Sequence, residues 1–229
     1  MQIDDVIERL RSAAAPTPEN LEGMARYGIN TQRALCVSTP DMKRLAREIG
    51  RNHALALELW KAAWRETRIL AAMTDDPEMV TEEQMDVWVA DFDSWDVCDA
   101  TCLHLFSWTR MAADKALQWS QREEEYVKRA GFTLMACLAV GKRRPDEKRL
   151  ASFLPAVERE AGDARNYVKK SVNWALRQIG KYNLRLNKLA IESAERIRLQ
   201  DTRSARWIAA DALRELTSQQ VQARLAKRG

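Results

Sequence analysis

Apolar residues recur along this chain at steps of three and four. In HALALELWKAAWRETRILAAM, residues 53–73, they line one stripe of an amphipathic helix, and no segment keeps the strict alternation of a half-buried strand. Pro and Asp-Pro interrupt the periodic stretches at APTPEN, STPDM, DDPEMVTEEQ and RRPDEKRL, where one helix should stop and the next begin. TEEQMDVWVADF starts with Thr81 three residues before Gln84, the spacing of a capping box. The pattern predicts about a dozen helices and no sheet.

The helical pattern also repeats. YVKRAGFTLMACL begins at Tyr126 and YVKKSVNWALRQI at Tyr167, 41 residues later. RWIAADALREL is a looser third copy that would bring Trp207 to the same register, and WRETRILAAM near Trp64 resembles an earlier one. Units of roughly 40 residues, each two helices, are the mark of HEAT-like arrays, whose stacked pairs curve around a concave face. A compact bundle without repeats would show similar stripes. The expected architecture is an all-α, HEAT-like helical-repeat solenoid (an α-α superhelix) with a concave basic face. It forms a single domain over residues 1–229, with an N-terminal helix in 1–20 and repeats over roughly 20–225.

Composition narrows the class. Hydrophobic residues make up 46% and charged residues 31%, an ordered and water-compatible balance, and 8 Gly with 6 Pro are few for a turn-rich β protein. No apolar run reaches the roughly 20 residues that span a bilayer, so no membrane association is expected. MQIDDVIERLRSAAAP lacks the apolar centre of a secretion signal, which points to a cytoplasmic protein. Cys36, Cys98, Cys102 and Cys137 lie inside hydrophobic patterns. Cys98 and Cys102 are one turn apart, but two thiolates make half a tetrahedral site, and neither His53 nor His104 stands at a customary zinc spacing. They read as small buried hydrophobes, with no metal.

Charge is divided unevenly. Residues 1–114 hold 12 Lys+Arg against 20 Asp+Glu, and residues 115–229 hold 25 against 13, so a net charge of +4 splits into −8 and +12. A basic half suggests a polyanionic partner, nucleic acid first, although a solvated basic surface would look the same.

The candidate chemistry centres on DSWDVCDATC, residues 93–102. With Ser94 as N-cap, Trp95 and Asp99 share one face of a helix start, where the macrodipole favours a carboxylate. An indole beside an anion can receive a flat cation. Packing of Trp95, with Asp99 answering the dipole, is the alternative. In the repeated segments Arg129 and Lys170 each follow their tyrosine by three residues, Trp174 comes one turn after Lys170, and Lys128, Lys169, Arg177 and Lys181 add charge suited to phosphate oxygens. Each lysine could instead be merely solvated, and Trp174 could be packing between helices.

FDSWDVCD, YVKRAGFTLMACLAV, YVKKSVNWALRQIGKYN and RWIAADALRELTS, with the entry stretch GMARYGINTQRALCVSTPDMKRLA, resemble the AlkD-like DNA alkylation repair glycosylases over residues 20–225. The resemblance implies a HEAT-like solenoid cradling double-stranded DNA and hydrolysis of the N-glycosidic bond of N3- and N7-alkylated purines. Matched position by position, it makes Asp99 the catalytic carboxylate, Trp95 and Trp174 the substrate-facing indoles, and Arg129 the groove arginine. Cys36 stands in RALCVSTPD where the family pattern expects glycine, and Cys98 is unusual within the motif.

A cationic alkylpurine leaves without protonation, so the site needs a carboxylate to stabilise oxocarbenium character and place water. The implied enzyme is monofunctional, acts without cofactor or metal, approaches the lesion without flipping it into a pocket, and is expected to be a monomer. A non-catalytic protein recognising damaged or branched DNA and a protein-binding HEAT scaffold are the competing readings.

Overall fold

The structure is a computed structural model that describes residues 1–141 and 145–227; Arg143 and Arg144 of RRPDEKRL lie outside the described residues. Fifteen α-helices and one 3-10 turn make up the described residues, with no strand among them. The chain divides into two compact units, Met1–Thr109 and Arg110–Gly229.

Unit 1 contains α1 (Ile3–Ser12), α2 (Pro18–Arg26), α3 (Thr39–Ile49), α4 (His53–Lys61), α5 (Arg65–Thr74), α6 (Glu82–Ala90) and α7 (Trp95–His104). Helix α5 is central, packing on α3, α4 and α7. It can do so because Ala71 and Ala72 leave room beside Ile69 and Leu70, all four buried. Trp60 and Trp88 stack with centroids 4.0 Å apart. The capping box at α6 is half formed. Thr81 Oγ1 accepts the Gln84 amide N–H at 3.1 Å, but the Gln84 side chain donates instead to buried Asp75 at 2.6 Å. Asp75 has the stronger claim: its carboxylate is out of water and needs donors, and His53 Nδ1 supplies another at 2.6 Å.

Unit 2 contains α8 (Ala112–Trp119), α9 (Glu125–Val140), α10 (Glu147–Ala151), α11 (Leu154–Glu160), α12 (Asn166–Gly180), α13 (Leu184–Arg198), α14 (Arg203–Leu216) and α15 (Gln219–Ala226). Helices α9, α12 and α14 pack side by side, α11 and α13 lie against them, and α15 closes on α13 and α14. Gly131 is required where α8 meets α9: a Cβ there would stand 2.5 Å from the Ser120 backbone nitrogen. The repeat is real but uneven. Helix α12 starts 41 residues after α9, whereas α14 starts only 37 after α12. Trp207 is therefore the fifth residue of α14, not the second as Tyr126 and Tyr167 are in their helices, because the stretch from α12 to α14, with the single helix α13, is shorter than the stretch from α9 to α12. Trp64, likewise, sits at the N-cap of α5 rather than inside it.

Three cysteines, Cys98, Cys102 and Cys137, are buried among apolar neighbours. Trp60, Trp88 and Trp119 are core, whereas Trp207 is 42% exposed. Among the described residues no helix is long and apolar enough to cross a membrane.

Candidate functional site

Helix α7 begins where the sequence predicts, with Ser94 in extended conformation at the N-cap. Its hydroxyl does not cap the helix, however. It donates to the Asp96 carboxylate. Asp96 is drawn into a tighter network, accepting from the Val97 amide at 2.9 Å and from Arg65 Nε at 2.5 Å. Trp95 is the first residue of α7 and Asp99 lies one turn further, so both project from one face, and both are half-buried. Val97 and Cys98, between them in sequence, are fully buried. The Trp95 indole N–H donates to the Tyr27 carbonyl at 2.8 Å, so its hydrogen bond fixes the ring against the loop that follows α2.

A buried charge cluster supports this helix start. Glu66, fully buried, accepts the Leu35 and Cys36 amides at 2.8 and 3.0 Å and Arg65 Nη1 at 2.9 Å. Burial opposes the Arg65 charge, but Asp96 and Glu66 outweigh it and raise the guanidinium above its ordinary value. Cys36 has φ of +58°, the left-handed region that favours glycine, the residue that the resemblance leads one to expect there. Burial, and then Glu66, push its thiol pKa up. Beside the cluster is a cavity of about 250 Å³ lined by Asn30, Arg33, Arg65, Arg68, Asp93 and Ser94.

In unit 2, Arg129 is 5% exposed and its Nη1 donates to the Tyr167 carbonyl at 2.6 Å, while the Tyr126 and Tyr167 rings stack at 6.0 Å. Helix α9 thus hands a guanidinium to the first turn of α12. Trp174 is half-buried on α12, one turn beyond exposed Lys170. With the Gln178 amide oriented to suit its neighbours, the Trp174 indole N–H donates to its oxygen at 3.0 Å.

The five basic groups expected to meet phosphate divide. Lys128 is 5% exposed, and its ammonium lies 2.7 Å from Glu160. Arg177 pairs with Glu215 and, at 3.1 Å, with Asp211; Lys181 reaches Glu215 at 2.7 Å. These three are thus paired with a carboxylate on another helix. Lys169, half-buried, and Lys170, exposed, keep their charge for the outside.

The sequence reading overlooks Arg65, Glu66 and Asp96. The signal was present in WRETR and SWDVCD, where charges sit at positions the apolar period assigns to the interior.

A family model described as DNA alkylation repair enzyme matches residues 6–216. No curated protein matches the chain. A solved structure described as a new family of proteins related to the HEAT-like repeat DNA glycosylases, with affinity for branched DNA structures, superposes with a TM-score of 0.76 at 19% identity. That match covers 94% of this chain and 95% of the other. An engineered protein matches with a TM-score of 0.40 at 14% identity, covering 86% of this chain and 98% of that one. The fold is a HEAT-like helical repeat.

Proposed function

Because the chain belongs to the DNA alkylation repair enzyme family, we propose that it hydrolyses the N-glycosidic bond of cationic N3- and N7-alkylpurines in double-stranded DNA and leaves an abasic site. The observation that carries this reading is the Trp95–Asp99 pair on one face of α7, with Arg65, Glu66 and Asp96 locked beneath it. Those charges satisfy one another and hold the start of α7, and with it the turn that carries Trp95 and Asp99.

The alkylated base carries a positive charge and departs with the bonding electrons, becoming neutral. Positive charge then grows on the deoxyribose. The Asp99 carboxylate stabilises it and orients the water that adds to the anomeric carbon, taking its proton as the bond forms. Trp95 and Trp174, the two indoles that the family resemblance assigns to the substrate, have ring faces suited to a sugar or a cationic base, each such contact worth about 0.5–2 kcal/mol. Arg129 holds the start of α12 through Tyr167 and steadies the backbone near Trp174. The lesion's own charge replaces a general acid, and no lysine is assigned an imine-forming role. On this reading the protein works as a cytoplasmic monomer on DNA and discriminates by the lability of the lesion more than by its shape.

The test is release of free methylpurine from methylated duplex DNA. Wild type should release it, and Asp99→Asn should lose most of the rate while binding DNA as tightly or more tightly. A near-normal rate in the variant would sink the assignment.

A second reading has one observation in its favour: the protein with the similar fold is described by its affinity for branched DNA. A non-catalytic DNA-binding protein would release no base from either form.

A further inference from the structure

Helices α12 and α14 meet in a regular ladder. Asn173 Nδ2 donates to Asp211 at 2.7 Å, and Arg177 donates to Glu215, each pair 38 residues apart. The same offset one turn earlier joins Lys169 to Trp207, with the ammonium 5.0 Å from the ring centroid. The upper rungs are internal polar pairs, an amide on a carboxylate and a guanidinium on a carboxylate. This last rung is different: it consists of a cation and a large apolar ring, and the ring is 42% exposed. Trp207 is the one tryptophan of the exposed class among the described residues.

Its surroundings are cationic and available. Arg203, the first residue of α14, lies one turn before Trp207 on the same helix face, and Lys170 follows Lys169 on α12. Among the described residues Lys169, Lys170 and Arg203 are all without a carboxylate partner, and all three are half-buried or exposed. The nearby acid, Asp201, is neutralised by Arg206 at 2.8 Å. An exposed indole ringed by uncompensated cations matches an aromatic base flanked by phosphates: the ring takes the base, and the cations take the backbone. Paired bases inside a duplex offer no face to such a ring, so the match is to DNA that carries an unpaired base.

We infer that Trp207, with Lys169, Lys170 and Arg203 around it, is a stacking platform for an unpaired base of DNA, separate from the residues proposed for base release. This rests on the reading of the chain as a DNA-binding protein. A base laid on the exposed part of the indole brings its flanking phosphates to the three cations, so the protein should prefer duplexes with a frayed end, gap or flap.

The experiment compares the affinity of the full chain for an unmodified blunt hairpin duplex with that for the same duplex carrying a short single-stranded tail, by fluorescence anisotropy. Wild type should prefer the tailed duplex by about tenfold. Trp207→Ala should lower the tailed-duplex affinity to that of the blunt one, and Trp207→Phe, which keeps a ring, should retain most of the preference. A wild type without preference, or a Trp207→Ala protein that keeps it, would overturn the platform. Failure of wild type to bind either duplex would overturn the DNA reading itself, and since neither DNA is methylated, the outcome is separable from base release.

Discussion

In unit 1, counted over residues 1–109, 19 acidic groups face 11 basic ones; in unit 2, over residues 110–229, 14 face 26. Both halves use their scarcer charge internally. In unit 1 the arginines are spent on structure: Arg65 binds Glu66 and Asp96, and Arg68 donates to the Asp91 carbonyl at 2.9 Å. In unit 2 it is the carboxylates that are committed. Glu215 takes Arg177 and Lys181, Glu160 takes Lys128, and Glu158 takes Arg196. What remains over is acid in one half and base in the other. A surplus of one sign is thus informative about a partner only after the internal pairs have been removed from the count. By that measure Lys169 and Lys170 stay in the surplus, whereas Lys128, Arg177 and Lys181 are taken up by internal pairs.

One shielded carboxylate in each half shows net shifts of opposite sign. Burial pushes the Asp75 carboxyl up, and the hydrogen bonds from His53 and Gln84 offset only part of that. Burial acts upward on Glu215 too, but the hydrogen bonds from Arg177 and Lys181 outweigh it and hold that carboxyl below its ordinary value. One carboxylate meets neutral or titrating donors, the other permanent cations, and the sign follows from the donor.

The comparison can be broken at its deepest point first. Glu66→Ala removes the acceptor for two loop amides and for Arg65, leaving buried donors unpaired, and should cost about 3–5 kcal/mol. Urea denaturation should place the loss in unit 1, with hydrogen exchange accelerating in α5 and α7 and much less in α12 and α14. Uniform acceleration would show that the cluster is not a local support.

A smaller effect separates the halves by pH. Glu215, with its lowered pKa, contributes stability that is present above the ordinary value of 4.5 and is lost as pH falls through the lower folded value. Asp75, with its raised pKa, contributes stability that is present below the ordinary 3.8 and is lost as pH rises through the folded value. Acidification below 4.5 should therefore open α12 and α14 before α4 and α6 in exchange measurements. Glu215→Gln should cost about 1–2 kcal/mol at neutral pH and flatten that acid dependence. Unaltered dependence in the variant would move the titration to other groups.

The surplus itself can be titrated with salt. Lys169→Ala with Lys170→Ala should weaken duplex binding and reduce the salt dependence by about one to two phosphate contacts. Lys128→Met, by contrast, should act on stability, since its charge is directed at Glu160. An unchanged slope for the double variant would return both lysines to solvent.

The smallest effect concerns the loop that Glu66 holds. Cys36→Gly exchanges relief of a left-handed backbone for greater freedom in the unfolded chain, and its stability should stay within about 0.5 kcal/mol of wild type. Cys36→Val puts a β-branched side chain at the same φ and should cost about 1–2 kcal/mol. Equal thermal midpoints for the two variants would contradict the strain assigned to this position.

Helical class, the start of α7 and the pairing of Trp95 with Asp99 on one face were legible in the sequence, because each depends on spacing along a single helix. The 41-residue recurrence of Tyr126 and Tyr167 was legible for the same reason: equal repeats leave equal words. What spacing did not decide was the choice of hydrogen-bond and ion-pair partner. Ser94 was a good cap by residue type, yet Asp96 took its hydroxyl; Gln84 was spaced for a capping box, yet Asp75 took its amide. Three of five basic residues found carboxylates a helix away, and Trp207 fell out of register because α14 starts 37 residues after α12 whereas α12 starts 41 after α9. Periodicity is a property of the covalent chain and can be counted there. The choice among competing hydrogen-bond and ion-pair partners is made by distance and dehydration, which exist only once helices distant in sequence have packed together.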